Sequence, residues 1–179
     1  PNPPGDTRAA MAHLTAFLDR EGLPYRVVAP QPSMPNVLDS FDGGAAGRHL
    51  VLNGHVDVFP AAAAGPTERD PFSGAVENGR IYGRGAADMK CGTAASVITY
   101  RYLHRLRDRL KGRLTLTAVS DEGTGGRWGT RWLMEHHGDE VRGDCCLNGE
   151  PSGVRTIRFG EKGTLRLTFT ARTQGAHGA

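Results

Sequence analysis

The residues best suited to chemistry in this sequence are one imidazole and several carboxylates, each placed where a predicted strand ends or a helix begins. They are His55, Asp57, Asp88, Asp121, Glu122 and Glu150. Open α/β sheets bind ligands beyond the carboxyl ends of their strands, so these side chains are expected at one edge of a sheet. One imidazole with several carboxylates is a donor set typical of a zinc or dinuclear metal site. The sequence therefore predicts a metal centre at that edge.

Each of these residues also has an ordinary structural explanation when it is taken alone. His55 could be a hydrogen-bonded loop histidine, and Asp88 could cap the helix that follows it. Asp121 and Glu122 could be turn residues. Caps and turns do not require such residues at the ends of successive strands, whereas a shared metal centre does. The joint pattern therefore favours metal binding.

The spacing of the candidates suggests different roles within such a centre. His55 and Asp57 are two residues apart, so in extended backbone their side chains share a face. An aspartate there can accept the second ring N–H of a ligating histidine and fix its tautomer. Asp88 has two carboxylate oxygens and could bridge two cations. A glutamate that is not a ligand can act as general base beside the metal.

Hydrophobic periodicity places these residues in an α/β domain. Helices are predicted over Asp6–Glu21, Met89–Leu110 and Trp128–His137, and strands over Tyr25–Val28, Asn36–Ser40, His49–Leu52, Arg113–Val119 and Asp144–Leu147. Strands that alternate with helices predict a largely parallel sheet flanked by helices. After Glu150, the segment Gly163–Arg172 alternates between apolar and polar residues, which predicts a half-exposed antiparallel strand that opens a second unit.

The composition excludes several classes of protein. Hydrophobic residues make up 38% and charged residues 23% of the 179-residue chain, which is typical of a globular protein. No segment approaches the ~18 consecutive apolar residues of a membrane span. The net charge is +3, and the densest basic cluster is Arg101, Arg105, Arg107, Arg109 and Lys111. No aromatic platform accompanies this cluster, so a solvated helix face is favoured over nucleic-acid binding.

The three cysteines, Cys91, Cys145 and Cys146, do not form a disulfide or zinc-binding pattern. There is no CxxC, and two neighbouring cysteines make a poor disulfide. We expect all three to be reduced and packed in the core. The N-terminus lacks a basic-then-apolar signal, so a cytoplasmic protein is expected.

Several ordered motifs resemble those of the M20 metallopeptidases. Asn53–Pro60, read as NGHVDVFP, is similar to the GHxDVVP element of that family. Further similar segments are Asp70–Phe72, Gly79–Gly85, Ala87–Lys90, Ser120–Glu122 with Gly125–Gly126, Gly149–Pro151 and Gly160–Gly163. The resemblance runs from about Leu14 to Ala179. The family comprises amidohydrolases such as acetylornithine deacetylase, succinyl-diaminopimelate desuccinylase, aminoacylase and carboxypeptidase G.

The resemblance implies a role for each matching residue. It implies that His55, Asp88 and Glu150 bind metal, and that Asp88 bridges to a second ion. It also implies that Asp57 orients His55 and that Glu122 is the general base. His177 looks like the lid-domain histidine of the family, which steadies the oxyanion in the active site of the partner subunit.

The resemblance further implies a domain organisation and a function. Residues 1–158 are expected to form an incomplete zinc-peptidase-like catalytic domain, and residues 159–179 the first strands of a truncated α+β lid or dimerisation domain. The implied activity is metal-dependent hydrolysis of amide bonds in N-acyl amino acids or short peptides. It implies one or two Zn²⁺ ions, with Co²⁺ or Mn²⁺ as substitutes, and a homodimer when full length. No nucleic-acid or membrane partner is expected.

The sequence departs from the family at the second metal position. Family members usually carry DEE, whereas this chain has Asp121–Glu122–Gly123. Keeping register with Gly125–Gly126 places glycine at the ligand position of the second ion. A one-residue shift makes Asp121 the base and Glu122 the ligand, but it requires a gap. The last family ligand, a histidine, lies beyond Ala179. Because Gly123 leaves the second metal site incomplete, the alternative function is a metal-binding homologue or fragment that lacks catalysis.

Overall fold

The described residues form seven strands, five of them in a central sheet and two in a small separate sheet. A computed structural model describes residues 1–61, 69–160, 163, 165 and 167–172. The strands are β1 (Arg26–Val28), β2 (Asn36–Asp42), β3 (Ala45–His55), β4 (Val76–Glu77), β5 (Arg80–Ile81), β6 (Lys111–Val119) and β7 (Cys145–Asn148). The helices are α1 (Arg8–Arg20), α2 (Cys91–Arg105), α3 (Thr130–His136) and α4 (Gly138–Val141).

The central sheet has the strand order β1-β2-β6-β3-β7. Strand β3 pairs in parallel with both β6 and β7, and β2 pairs antiparallel with β1 and β6. Four of the five strands therefore run in one direction, and β2 alone runs against them. The predicted α/β architecture with a largely parallel sheet is confirmed. Because β3, β6 and β7 end at the same edge, the residues that follow them are brought together there.

Helices cover both faces of this sheet and bury its apolar side chains. On one face, Leu18 of α1 and Tyr100 of α2 pack with Leu52 and Leu116 of the central strands. On the other face, Leu133 of α3 forms a smaller buried cluster with residues of β2, β6 and α4. Successive strand residues point to opposite faces, so a single strand such as β2 contributes side chains to both clusters. This two-sided burial holds the central strands rigidly beneath the sheet edge.

Most predicted elements are present, with shifted boundaries. The long helix predicted over Met89–Leu110 is shorter, because α2 ends at Arg105 and a separate 3₁₀ turn spans Arg107–Arg109. The strand predicted over Gly163–Arg172 is not formed in the described part of that segment. Its apolar residues are largely exposed there, and a strand needs a partner to pair its backbone groups.

The cysteines are free, as predicted, but their expected burial in the core is wrong. Cys91, Cys145 and Cys146 are all exposed. Two of them lie on β7, whose only pairing among the described residues is with β3. Cys91 begins α2 on a side that faces away from the core. Side chains of a strand point to the two faces of the sheet, and no described element covers the faces of β7, so its cysteines are in contact with solvent.

Two arginines of the basic stretch form ion pairs between helices. Arg101 and Arg105 on α2 both form ion pairs with Glu21 at the end of α1. These contacts join two helices on the same face of the sheet.

Within the described ranges, no helix has both the length and the apolar composition that a membrane-spanning helix requires.

Candidate metal centre

His55 is the last residue of β3 and directs its Nε2 ring nitrogen toward the carboxylates at the sheet edge. Its side chain is only 6% exposed. Nδ1 lies 2.9 Å from the Asp57 carbonyl oxygen and 3.5 Å from Asp57 Oδ1, and both are acceptors. Thr93 Oγ1 of α2 donates to the His55 carbonyl at 2.8 Å. A proton on Nδ1 leaves Nε2 with its lone pair directed away from Asp57, as a metal ligand requires.

Asp88 approaches His55 from a distorted turn that precedes α2. The turn spans Ala86–Lys90, and Asp88 itself has non-helical backbone angles of φ −115° and ψ 101°. Its Oδ1 lies 3.1 Å from His55 Nε2. The residue at the N-cap of α2 is Lys90, which forms no side-chain cap bond, so the explanation of Asp88 as a helix cap is wrong. The distortion turns the carboxylate toward the strand ends instead.

Glu150 completes the group from the third strand end, two residues after β7. Its Oε1 lies 3.1 Å from His55 Nε2, and its backbone N–H donates to Asn148 Oδ1 at 2.8 Å. Gly149 packs directly on Gly92 of α2, where a Cβ added to Gly92 would lie 2.1 Å from the Gly149 carbonyl oxygen. The contact between these two glycines lets the end of β7 approach α2 closely enough to place Glu150 beside Asp88.

The three donor groups fit a single divalent ion. One ligand atom each from His55, Asp88 and Glu150 lies within 4.8 Å of the other two, and no other such histidine, cysteine or carboxylate trio occurs in the described part of the chain. Ligands about 2.0 Å from a tetrahedral zinc are roughly 3.3 Å apart. The 3.1 Å separations from His55 Nε2 are close to that spacing. One imidazole and two carboxylates are also a zinc-type donor set.

Glu122 faces the same space, whereas its neighbour Asp121 is turned into the protein. Glu122 Oε2 lies 3.9 Å from His55 Nε2, and the side chain is 56% exposed. Asp121 is 1% exposed, and its carboxylate accepts hydrogen bonds from Asn2 Nδ2, Thr124 Oγ1 and the Trp128 N–H. Its backbone is left-handed, with φ 71°, a conformation that aspartate tolerates better than most residues. Of the two, only Glu122 has a carboxylate open to the centre.

The Asp57 carboxylate supports the turn that carries Glu122. Its two oxygens accept the backbone N–H groups of Glu122 and Gly123, each at 3.1 Å. Burial raises the pKa of Asp57, but hydrogen bonds from His55, from these two backbone groups and from Asn2 outweigh burial and lower it to about 2. Asp57 is therefore ionised across the physiological range and links the β3 end to the β6 end.

The charges around His55 favour its protonated form in the metal-free protein. Burial lowers its pKa, but the Asp57 carboxylate and the negative charges of Glu150 and Glu122 outweigh burial and raise it to about 9. The pKa of Glu150 is also raised, by burial and by the nearby charges of Asp88 and Glu122. A proton on His55 thus offsets negative charge that a divalent cation would neutralise more fully.

A cavity of about 180 Å³ opens in front of these groups. It is lined by His55, Asp57, Asp88 and Glu122, together with Phe59 and Arg84. A cavity of this size, with carboxylates on one wall, is suited to a small polar group beside a cation.

The sequence relationships agree with this geometry. The sequence model described as "Peptidase family M20/M25/M40" matches residues 51–173. This chain belongs to that family. Curated relatives include succinyl-diaminopimelate desuccinylase 1 of Alteromonas mediterranea, which is 35% identical over 148 residues, 79% of this chain and 37% of that protein. The desuccinylase of Methylorubrum extorquens is 34% identical over 178 residues, 94% of this chain and 46% of that protein.

Solved structures show the same fold as this M20 family chain. An M20 family metallo-carboxypeptidase of Sulfolobus solfataricus superposes with a TM-score of 0.61 at 21% identity, over 77% of this chain and 31% of that one. Human carnosine dipeptidase 1 superposes with a TM-score of 0.57 at 21% identity, over 79% and 32%. The chain spans about two fifths of the length of the curated relatives named above.

Within this M20 family chain, five of the six residues to which the resemblance gives a role are brought together. His55, Asp57, Asp88, Glu122 and Glu150 lie around one space. His177, the sixth, lies outside the described residues. Sequence reasoning missed Asn2, whose side chain reaches Asp57 and Asp121 from the N-terminus. An asparagine among prolines signals only a turn, so no pattern pointed to that contact.

Proposed function

We propose that this protein is a metal-dependent hydrolase of amide bonds in N-acyl amino acids or short peptides. His55, Asp88 and Glu150 are its metal ligands. The observation that carries the proposal is the convergence of both carboxylates on His55 Nε2, each at 3.1 Å, from three separate strand ends. Membership of the M20/M25/M40 peptidase family gives the reaction class, and the desuccinylases among its relatives give an N-acylated amino acid as substrate.

Different residues of the chain have different roles in such a reaction. A bound divalent ion supplies a Lewis acid that lowers the pKa of water and polarises a carbonyl oxygen. Asp57 positions the side chains around the metal site, because it flanks His55 Nδ1 and accepts hydrogen bonds from the Glu122 and Gly123 N–H groups. Glu122 accepts the proton of the attacking water and delivers it to the leaving amine.

Glu122 is a better general base than Asp121 in this fold. The Asp121 carboxylate is buried and already accepts hydrogen bonds on both oxygens. Glu122 lies on the cavity, close to the His55 nitrogen that faces the ligand group. This arrangement supports the family alignment without the one-residue shift, in which Gly123 stands at the ligand position of the second metal ion.

The family resemblance extends this proposal to the domain organisation, the metal and the location. Residues 1–158 belong to the catalytic domain and residues 159–179 begin a lid, in which His177 steadies the oxyanion of a homodimeric enzyme. Zn²⁺ is the proposed metal because imidazole with carboxylates suits it, and Co²⁺ or Mn²⁺ can substitute. Three free thiols support a cytoplasmic location.

A second candidate function is metal binding without catalysis, and Gly123 favours it. Glycine offers no donor for a second ion, so the chain is expected to hold a single metal ion.

A Cβ added at Gly123 would have Asp57 Oδ2 as its nearest neighbour at 3.5 Å, which is ordinary contact. Gly123→Glu should therefore fit and raise the bound metal from about one to about two ions per chain, as counted by elemental analysis. An unchanged count would favour the shifted alignment.

Hydrolysis of a panel of N-acyl amino acids, including N-succinyl ones, tests the proposed function. The purified protein is loaded with Zn²⁺, and release of the free amine is followed with and without a chelator. We expect turnover that the chelator removes and that added Zn²⁺ restores. A protein that binds one zinc ion tightly yet turns over no substrate of the panel would establish the second candidate instead. His55→Ala should lose the ion in either case.

A further inference from the structure

The N-terminal residues pack underneath the metal centre. Asn2 is 1% exposed, although it is a polar residue next to the chain start. Its backbone N–H donates to the Val58 carbonyl at 2.8 Å, which joins it to the segment after β3. A buried asparagine is stable only when its amide is hydrogen-bonded, so the partners of its side chain indicate what it does.

The Asn2 side-chain amide joins the two strand ends that carry the site. Nδ2 donates to Asp121 Oδ1 at 2.9 Å, and it lies 3.3 Å from both Asp57 Oδ2 and Thr124 Oγ1. Asp57 follows β3 and Asp121 follows β6. One neutral group with two N–H donors thus lies between two buried carboxylates of different strands.

The position of this amide matters because the two carboxylates repel each other. Two buried like charges are stabilised only by donors that lie between or beside them. Asp57 and Asp121 in turn hold the functional residues on either side. Asp57 flanks His55 Nδ1 and accepts the Glu122 N–H, and Asp121 begins the turn that carries Glu122.

We propose that Asn2 is a positioning residue of the metal centre. Its amide fixes the distance between the Asp57 and Asp121 carboxylates and so sets Glu122 relative to His55. This role rests on the proposed function for its effect on turnover, but its effect on metal binding does not. Asn2 lies outside residues 51–173, the part that the family model matches.

Asn36 provides a matched control for this proposal. It is also fully buried, with 0% exposure, and its side chain forms three hydrogen bonds, with Val28, Trp128 and Ser120 backbone groups. It touches neither Asp57 nor Asp121 in the hydrogen bonds of the described residues. Removal of either asparagine amide should destabilise the fold, but only loss of the Asn2 amide should alter the centre.

The experiment compares Asn2→Ala, Asn2→Asp and Asn36→Ala with the unmodified protein. Zn²⁺ affinity is measured by competition with a chromophoric chelator, and kcat and KM are measured separately, at a temperature where circular dichroism shows each variant folded. Asn2→Asp keeps the shape of the side chain and replaces its N–H donors with a third carboxylate, so it tests the donors separately from side-chain volume. We expect both Asn2 variants to lose about 10–100-fold in Zn²⁺ affinity or in kcat, with KM within about twofold.

The outcomes separate the two proposals. Asn36→Ala should keep the Zn²⁺ affinity and kcat of the unmodified protein. If the unmodified protein binds Zn²⁺ but hydrolyses nothing, the hydrolase proposal fails while the affinity comparison still decides the role of Asn2. Wild-type affinity and kcat in the folded Asn2→Asp variant would overturn the positioning role. An equal loss in the Asn36→Ala variant would overturn it as well, because the effect would then be one of general stability.

Discussion

At the scale of single residues, the centre is arranged so that neighbouring carboxylates have separate tasks. Asp88 and Glu150 point at His55 Nε2. Asp57 accepts a hydrogen bond from the backbone of the turn that carries Glu122, and Asp121 is buried and hydrogen-bonded within the protein. Glu122 alone combines proximity to His55 with a side chain open to the cavity. The environment of each carboxylate, rather than its residue type, therefore decides its role.

Replacement of Glu122 by glutamine should separate binding from catalysis. Glu122→Gln removes the proton acceptor but retains the size of the side chain, so turnover of an N-acyl amino acid should fall by about 10²–10⁴-fold. Zn²⁺ affinity should change by much less, since Glu122 is not in the ligand trio. Glu135→Gln, at an exposed glutamate of α3, is the control and should leave turnover intact. Loss of the ion together with activity would show that Glu122 is a ligand.

Metal binding should release a proton in a defined pH range. The metal-free His55 has its pKa raised to about 9, so below that pH a cation must displace a proton from the ring. Zn²⁺ affinity should therefore rise with pH by up to about tenfold per unit until about pH 9. In the metal-free fold, stabilisation by protonated His55 is complete below its ordinary pKa of about 6.5 and is lost as the pH rises through about 9.

Calorimetry in two buffers of different ionisation enthalpy measures this release. We expect the proton from His55 to contribute near pH 7.5 and not at pH 10, where only a metal-bound water can release one, with the exposed His13→Ala variant unchanged. Zinc binding at pH 7.5 that released no proton would contradict the pKa of His55.

At the scale of secondary structure, glycine contacts decide how closely the elements meet. Gly92 at the start of α2 lies against Gly149 after β7, and Gly54 of β3 lies against Thr93 of α2. These contacts allow one helix to touch two strand ends, which places Asp88, His55 and Glu150 together. The centre depends on this packing as much as on its ligands.

A methyl group at Gly92 should displace Glu150. The added Cβ of Gly92→Ala would lie 2.1 Å from the Gly149 carbonyl, so backbone must move. We expect a loss of about 1–3 kcal/mol in the free energy of unfolding and a clear loss of Zn²⁺ affinity. Denaturant titration and metal competition measure the two effects. Gly160→Ala, at a glycine with open space around it, should change neither. Wild-type metal affinity in Gly92→Ala would show that this contact does not position Glu150.

Sequence patterns predicted the strands and the residues after them, because both depend on local periodicity. His55, Asp88, Asp121–Glu122 and Glu150 could be selected from their places at strand ends and a helix start. The non-helical backbone of Asp88 and the shorter α2 could not, since an apolar period continues through residues that tertiary contacts distort. Asn2 could not be found either, because its partners are 55 and 119 residues away in sequence.

At the scale of the whole molecule, the three ligands come from different elements of the fold. His55 lies on a central strand, Asp88 precedes a helix of one layer, and Glu150 follows the edge strand β7. The edge strand has four residues, all exposed, and pairs only with β3 among the residues described. An ion bound by all three ligands therefore joins an exposed edge strand of the described sheet to its buried centre.

The exposed edge strand makes amide hydrogen exchange a direct report of metal occupancy. The backbone amides of Cys145–Asn148 that pair with β3 should exchange through local opening, which breaks the ligand set when it carries Glu150 away. Saturation with Zn²⁺ at about 1,000 times its Kd should slow that exchange by up to about 10³-fold, equivalent to about 4.1 kcal/mol. Exchange at β7 that is insensitive to zinc would show that the strand opens without releasing Glu150.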